Sequence, residues 1–205
     1  MSRFSEQDRE RIRSQLIEAG QESFARFGFE RTRISDLTAE AEIGTSTFYQ
    51  FFDSKEELYV KVLLIERRRL EENIADAVKT GETPRDEVRL FLQTMLDEIQ
   101  SNPLISALLV DGELRTLQDQ LEQLEADGKF EDEQPGGPNL PFTERWAALE
   151  TFRYDDRDLI EQLFISLVFT VRAQSAPVGA ESGVEYEQVQ GALIETVVDG
   201  LFVES

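Results

Sequence analysis

The chain contains neither cysteine nor histidine. The first absence excludes disulfides and thiolate metal sites; the second removes the commonest general base and metal ligand. Lysine is scarce, with only Lys55, Lys61, Lys79 and Lys129. No apolar run approaches the roughly 18 residues of a membrane-spanning helix, so no membrane association is expected. The opening stretch MSRFSEQDRERIRSQL lacks the apolar core of a signal peptide, and a cytoplasmic protein is expected. There is no glycine-rich phosphate loop and no carboxylate pair or cluster at a recognisable catalytic or metal-binding spacing. An enzyme is therefore not expected, nor is a cofactor.

Positive charge is also in short supply: 42 acidic residues face 21 basic ones, for a net charge of −21. Residues 1–60 alone carry eight basic side chains against twelve carboxylates, a net −4. A basic nucleic-acid footprint is absent at this level. Acid-rich, lysine-poor composition spread along a folding chain fits a salt-filled, halophilic cytoplasm. At about 1 M salt the Debye length is roughly 3 Å, which screens carboxylates from one another and from a phosphate backbone. The same screening weakens counterion release, so binding there would lean on close hydrogen bonds and shape. The plainer alternative is an ordinary acidic protein from a low-salt organism.

What is present is a hydrophobic content of 40% with 14 phenylalanines in 205 residues, enough for a small domain beside a larger one. The most ordered stretch is 31–58, RTRISDLTAEAEIGTSTFYQFFDSKEEL. Ile34, Leu37 and Ala41 recur at helical spacing. Glu42-Ile43-Gly44 breaks the pattern, with Gly44 placed to cap the next helix. Thr45 to Phe51 is too short to be a stable helix alone. Asp53-Ser54-Lys55-Glu56-Glu57 opens a third helix with a polar cap and first-turn carboxylates. Two short helices and a tight turn make a helix-turn-helix, whose second helix can enter a DNA major groove. Ahead of it, 5–27 reads as a helix with Ser5 and Asp8 as a capping pair, Ile12, Leu16, Ala19, Ser23, Phe24 and Phe27 inward, and Gly28 as its stop.

The outward residues of the helix-turn-helix carry its chemistry. Thr32, Arg33 and Ser35 surround the start of the first short helix, where amides, hydroxyls and a guanidinium can hold a phosphate. Thr45, Ser46 and Thr47 begin the second, the part that meets base edges. Tyr49 offers a hydroxyl to a phosphate, and Gln50 can pair with an adenine edge. Lys55 opposes the dipole of the helix it starts, which makes better sense if a phosphate sits beside it. Arg9 and Arg13 read first as solvated charge and second as phosphate contacts. Phe51 divides between core packing and an apolar DNA contact.

The succession Phe24-Ala25-Arg26-Phe27-Gly28-Phe29, Thr32, Ala41-Glu42-Ile43, Thr47-Phe48-Tyr49-Gln50-Phe51-Phe52 and Ser54-Lys55-Glu56-Glu57-Leu58 resembles the TetR/AcrR family of transcriptional regulators. The resemblance covers roughly residues 8–60. It implies DNA-contact roles for Thr32, Thr47, Tyr49 and Lys55, and a long following helix that links a DNA-reading head to a regulatory body. Three positions depart from the family pattern: Arg33 where a second Thr is common, Thr38 where Ala is usual, and Glu42 where Gly is usual. Glu42 must therefore adopt whatever backbone the turn needs.

Beyond residue 55 the periodicity stays helical. Residues 55–80 form one long helix marked by Leu58, Val62, Ile65, Arg69 and Asn73, a face that turns polar. Pro84 starts the next, with Val88, Phe91, Leu92, Met95, Leu96 and Ile99 inward. A short apolar stretch follows Pro103. Leu114, Leu117, Leu121 and Leu124 mark a further helix, and residues 128–142, rich in Pro, Gly and acid, are expected to form a mobile loop. The only Trp, Trp146, reads as a packed anchor or the wall of a ligand pocket. Apolar helices at about 155–175 and 184–203 are expected to bury against a second copy as a four-helix interface. The whole is expected to be all-α: an N-terminal three-helix helix-turn-helix DNA-binding domain (1–55) and a C-terminal helical ligand-binding and dimerisation domain (56–205). The leading function is a ligand-responsive, dimeric DNA-binding regulator, a repressor, acting on double-stranded DNA with a pseudo-palindromic site. Its effector, an unknown small molecule, is assigned from apolar content to Phe91, Met95, Leu108, Trp146, Phe152 and Phe164. The alternative is a helical regulatory protein that acts through protein partners with little DNA affinity.

Overall fold

The computed structural model describes residues 4–111, 141–168 and 185–203. The expected helix through Leu114–Leu124, most of the 128–142 loop and the last part of the expected 155–175 helix fall outside the described residues. The chain divides into two compact units, residues 1–67 with 102–135 and residues 68–101 with 136–205.

In the first unit, α1 spans Glu6–Phe27. Its capping pair is formed in both directions: the Asp8 amide donates to Ser5 Oγ at 3.1 Å, and the Ser5 amide to Asp8 Oδ2 at 3.2 Å. The Ser5 hydroxyl also donates to Asp8 Oδ2 at 2.6 Å, and this bond first, then the Ser5 amide and the nearby Arg11, hold the Asp8 carboxyl below the usual carboxylate range. Gly28 ends the helix at φ 75°, a conformation that favours glycine, and its N–H returns to the Phe24 carbonyl at 2.9 Å. Ile12, Leu16, Ala19, Gly20 and Phe24 are buried. Phe27, expected inside, is 43% exposed. Phe27 is the last residue of α1, one turn beyond the close approach of Gly20 and Phe24 to α4, and the Arg26 guanidinium carbon lies 5.0 Å from its ring centroid.

Helices α2 (Ile34–Glu40) and α3 (Thr45–Phe48) follow. Then α4 runs from Lys55 to Val78, a rise of roughly 36 Å. Ser54 and Glu57 start it: the Glu57 amide donates to Ser54 Oγ at 3.1 Å, and the Glu57 carboxylate accepts from the Asp53 amide at 2.6 Å. The expected drift to a polar face does not occur. The buried line leaves Leu58 and Val62 through Glu66 to Leu70, Ile74 and Val78, four residues apart, while Arg69 and Asn73 point outward. Glu66 is buried and accepts from Gln21 Nε2 at 2.6 Å and Asn102 Nδ2 at 2.8 Å, which satisfies a carboxylate that burial would otherwise penalise. Asn102 also caps α6 (Pro103–Ser106), which continues as a π-helical turn over Ala107–Asp111.

The second unit contains α5 (Pro84–Ser101), α7 (Pro141–Ala147), α8 (Arg157–Val168) and α9 (Tyr186–Leu201). The α5 stripe is as expected: Val88, Phe91, Leu92, Met95, Leu96 and Ile99 are all buried. Pro141 and Phe142, assigned to the end of the loop, instead open α7; proline suits a first helical position, and Phe142 is buried against Phe91 with ring centroids 5.4 Å apart. Helix α9 is fastened to α5 by polar pairs. Arg89 Nε donates to Glu195 Oε1 at 2.6 Å, Arg85 Nη1 to Asp199 Oδ1 at 2.7 Å, and Gln190 Nε2 to Asp97 Oδ1 at 2.9 Å. Among the described residues the one β pairing is a bridge between Phe152 and Phe202, and no helix is long and apolar enough to cross a membrane.

Candidate nucleic-acid interface

The turn between α2 and α3 is a Schellman-type helix end built on Glu42. The Ile43 amide donates to the Thr38 carbonyl at 2.9 Å and the Glu42 amide to the Ala39 carbonyl at 3.2 Å. That geometry puts Glu42 at φ 52°, in the left-handed region where glycine carries no Cβ penalty. Gly44 then caps α3 in extended conformation, and the Thr47 amide returns to its carbonyl at 2.8 Å. A four-residue helix cannot hold itself. Phe48 anchors it at full burial, with Phe51 and Phe52 buried just after. Phe51 therefore packs in the core.

This anchoring decides which side chains face out. Thr45, Ser46, Tyr49 and Gln50 are exposed, and Thr47 is half-buried. Tyr49 is 54% exposed, its ring edge-on to Phe48 at 5.4 Å. Ser35 and Arg33 are exposed at the start of α2, where the Arg33 amide donates to Asp36 Oδ2 at 3.0 Å.

An open groove of about 430 Å³ brings together Thr32, Arg33, Tyr49 and Lys55 from three separate segments, with Glu30, Asp53 and Glu56 also on its walls. Ser35, Thr45, Ser46, Thr47 and Gln50 lie outside that lining. Two of the residues in the groove are turned inward. Thr32 is 2% exposed, and its hydroxyl donates to the Gly28 carbonyl at 2.8 Å. Lys55 Nζ donates to the carbonyls of Phe29 at 2.8 Å and Thr32 at 3.0 Å, over the Phe29 ring. Two of its three donors are thus spent on the backbone. These bonds supply a structural reason for a cation in the first turn of α4. Lys55 holds the 29–32 segment against the helix start, next to the groove.

The effector assignment divides. Phe91, Trp146 and Phe164 pack ring to ring, at 5.9 Å for Phe91 with Trp146 and 4.7 Å for Phe91 with Phe164. Trp146 is fully buried and its indole N–H donates to Glu87 Oε2 at 2.7 Å, the behaviour of a packed anchor. Phe152 pairs instead with Phe202 at 5.1 Å. Met95 is buried on α5, and Leu108 belongs to the other unit. A separate cleft of about 180 Å³ is lined by Tyr154, Leu163, Phe164, Leu167, Val197, Gly200 and Leu201. Only Phe164 is shared with the assignment.

Sequence reasoning missed three features: the Glu66 junction, the Glu57 carboxylate on the Asp53 amide, and two arginine–ring contacts from α1. Only the second had a local signal, since Ser54 and Glu57 stand at capping-box spacing. Among the described residues no group of three His, Cys, Asp or Glu could hold a metal ion.

Residues 16–62 match the family model described as bacterial regulatory proteins, tetR family. Over 195 residues the chain is 24% identical to an uncharacterised HTH-type transcriptional regulator, YhgD, of Bacillus subtilis, with 91% of this chain and 94% of that one covered. The fold is similar to that of superantigen PfiT (TM-score 0.68, 17% identity, 95% and 97% covered). It is likewise similar to that of the ketosteroid transcriptional regulator KstR2 of Mycobacterium tuberculosis (0.57, 20%, 94% and 95%) and of RolR bound to resorcinol (0.57, 18%, 98% and 92%). The capped helix-turn-helix lies inside the matched segment, so residues 16–62 form a domain of the tetR-family type, carried on an all-helical fold shared with these proteins.

Proposed function

We propose that the protein is a dimeric, ligand-responsive repressor whose first 55 residues read a pseudo-palindromic operator and whose remainder dimerises and binds the effector. The observation that carries this is the groove that collects Arg33 and Tyr49 beside the braced Thr32 and Lys55, next to the hydroxyl-rich outer face of α3. In this reading Arg33, Ser35 and Tyr49 meet phosphates, and Thr45, Ser46, Thr47 and Gln50 approach base edges. Thr32 and Lys55 contribute by holding the groove's backbone, with the remaining lysine donor available to a phosphate.

Dimerisation through α8 and α9 is supported by an outward apolar stripe. Leu159, Leu163, Ile165 and Val189 are exposed on helices whose inward faces are already filled by Ile160, Phe164, Ile194 and Val198. A Cβ at Gly191 or Gly200 would meet open space, so a second helix can approach closely there. Two-fold symmetry would set the reading helices roughly 34–36 Å apart. A small aromatic or polycyclic effector fits the company of RolR with resorcinol and the ketosteroid regulator KstR2.

A second reading, action through protein partners with little DNA affinity, is favoured by the carboxylates of Glu30, Asp53 and Glu56 on the groove. Binding to the protein's own upstream DNA, measured as salt rises from about 0.1 to 2 M, separates the two. Sequence-specific binding of two chains per site is the expected result. No binding across the range, with helical content intact, overturns the repressor and favours the partner-binding reading.

A further inference from the structure

Helix α3 is a single turn, yet its short outer side chains must be placed closely, because hydrogen bonds need a donor–acceptor distance of roughly 2.7–3.2 Å and good alignment. Phe48, its last residue, is fully buried, and the two rings that follow it, Phe51 and Phe52, are held from α1. The Arg9 guanidinium carbon lies 5.1 Å from the centroid of the Phe51 ring, and that of Arg13 lies 5.2 Å from the centroid of Phe52. Arg9 and Arg13 are four residues apart and so share a face of α1, with one arginine set over each of two consecutive rings. Arg9 Nη2 also reaches the Gln50 carbonyl at 3.5 Å. Gln50 presents its side chain to solvent on the outer face.

We infer that Arg9 and Arg13 are positioning residues for base readout: through the faces of Phe51 and Phe52 they set the rotation and depth at which α3 presents Thr45, Ser46 and Gln50. The inference rests on the reading that α3 meets DNA. A guanidinium packs flat on a ring as an ammonium does not, so the contact depends on ring and guanidinium together. It differs from a phosphate contact, which would add affinity to every sequence alike.

The test uses the full chain and an operator selected by the unmodified protein from random duplexes. Dissociation constants are measured for that operator and a scrambled duplex across a salt series. Arg9→Gln and Arg13→Gln are expected to lower the operator-to-scrambled preference about two- to fivefold each, with scrambled-DNA affinity and its salt slope unchanged. Phe51→Leu, which leaves all charges in place, is expected to lose the same preference and to add nothing further when combined with Arg9→Gln. Equal weakening on both duplexes, with the slope reduced by about one per arginine, overturns the inference in favour of phosphate contacts. Full additivity of Arg9→Gln and Phe51→Leu overturns it as well. If the unmodified protein selects no sequence, the DNA reading itself fails, a result distinct from either. Thermal melting of each variant identifies any loss that is merely unfolding.

Discussion

The ammonium of Lys55 lies 4.0 Å from the centroid of the Phe29 ring and donates to the carbonyl of that same residue at 2.8 Å. A second bond to Thr32 at 3.0 Å closes the brace. Lys55→Ala should therefore lose about 1.5–3 kcal/mol of stability, the usual worth of hydrogen bonds to a charged group. DNA affinity should fall by one factor for all sequences. Tyr49→Phe is the contrast: the exposed ring keeps its place on Phe48, so stability should hold while binding to all sequences weakens about two- to tenfold. Urea melts beside gel shifts measure both; a change of base preference in either variant would contradict the phosphate-side role.

Glu42 occupies a left-handed position, φ 52°, in a turn that glycine fits without strain. Glu42→Gly should raise stability by about 1 kcal/mol, because non-glycine residues held in that region cost about 1–3 kcal/mol and glycine's extra chain entropy returns part of the gain. It also removes a carboxylate from the face expected to approach DNA, so affinity should rise at low salt and converge with the unmodified protein at high salt. A melting temperature that falls would show that the Glu42 side chain makes a compensating contact.

Glu87 accepts from both the buried Trp146 indole at 2.7 Å and Arg145 Nη2 at 2.6 Å. Glu87→Ala leaves the indole N–H unsatisfied among aromatic rings, a loss of about 1–3 kcal/mol. Trp146 is the only tryptophan, so its fluorescence reports this site alone. The emission maximum and the melting temperature should both shift. An unchanged spectrum would mean the indole finds another partner.

The Glu195 carboxyl sits below its ordinary range, first because Arg89 donates to it and despite some desolvation and the nearby Asp199 charge; Arg89 is raised in turn. A depressed carboxyl pKa stabilises the fold above the unfolded value of about 4.3, and that stabilisation is lost as pH falls through the folded value. Both partners are substantially solvated, which limits the pair to at most about 1 kcal/mol. Glu195→Gln should thus melt slightly below the unmodified protein at neutral pH, and the gap should close in acid. A gap that persists at pH 2 would assign the effect to packing.

With a net charge of −21, unscreened self-repulsion should unfold the protein at low ionic strength. Far-ultraviolet helicity is expected to fall below roughly 0.5 M salt and to recover above it. Helicity unchanged in dilute buffer would remove the salt-adapted reading and leave an ordinary acidic protein.

The elements legible in the sequence are those written by local rules. Ser5 with Asp8, Gly28, Gly44, Ser54 and Pro84 mark helix ends through bonds or backbone angles within a few residues, and the α5 stripe follows from period alone. The family resemblance lay in the same local stretch, around 24–58. What the sequence left undetermined is which face each helix buries when two apolar stripes compete, and which polar atoms meet across long separations. Phe27 lies outside because α1 ends there, one turn past its contact with α4, and α4 stays amphipathic because Gln21 and Asn102 satisfy Glu66. Lys55 reaches back across 23 to 26 residues to two carbonyls, and Arg9 and Arg13 cover rings far along the chain. Such contacts depend on distances set by the packed backbone, and no periodicity encodes them.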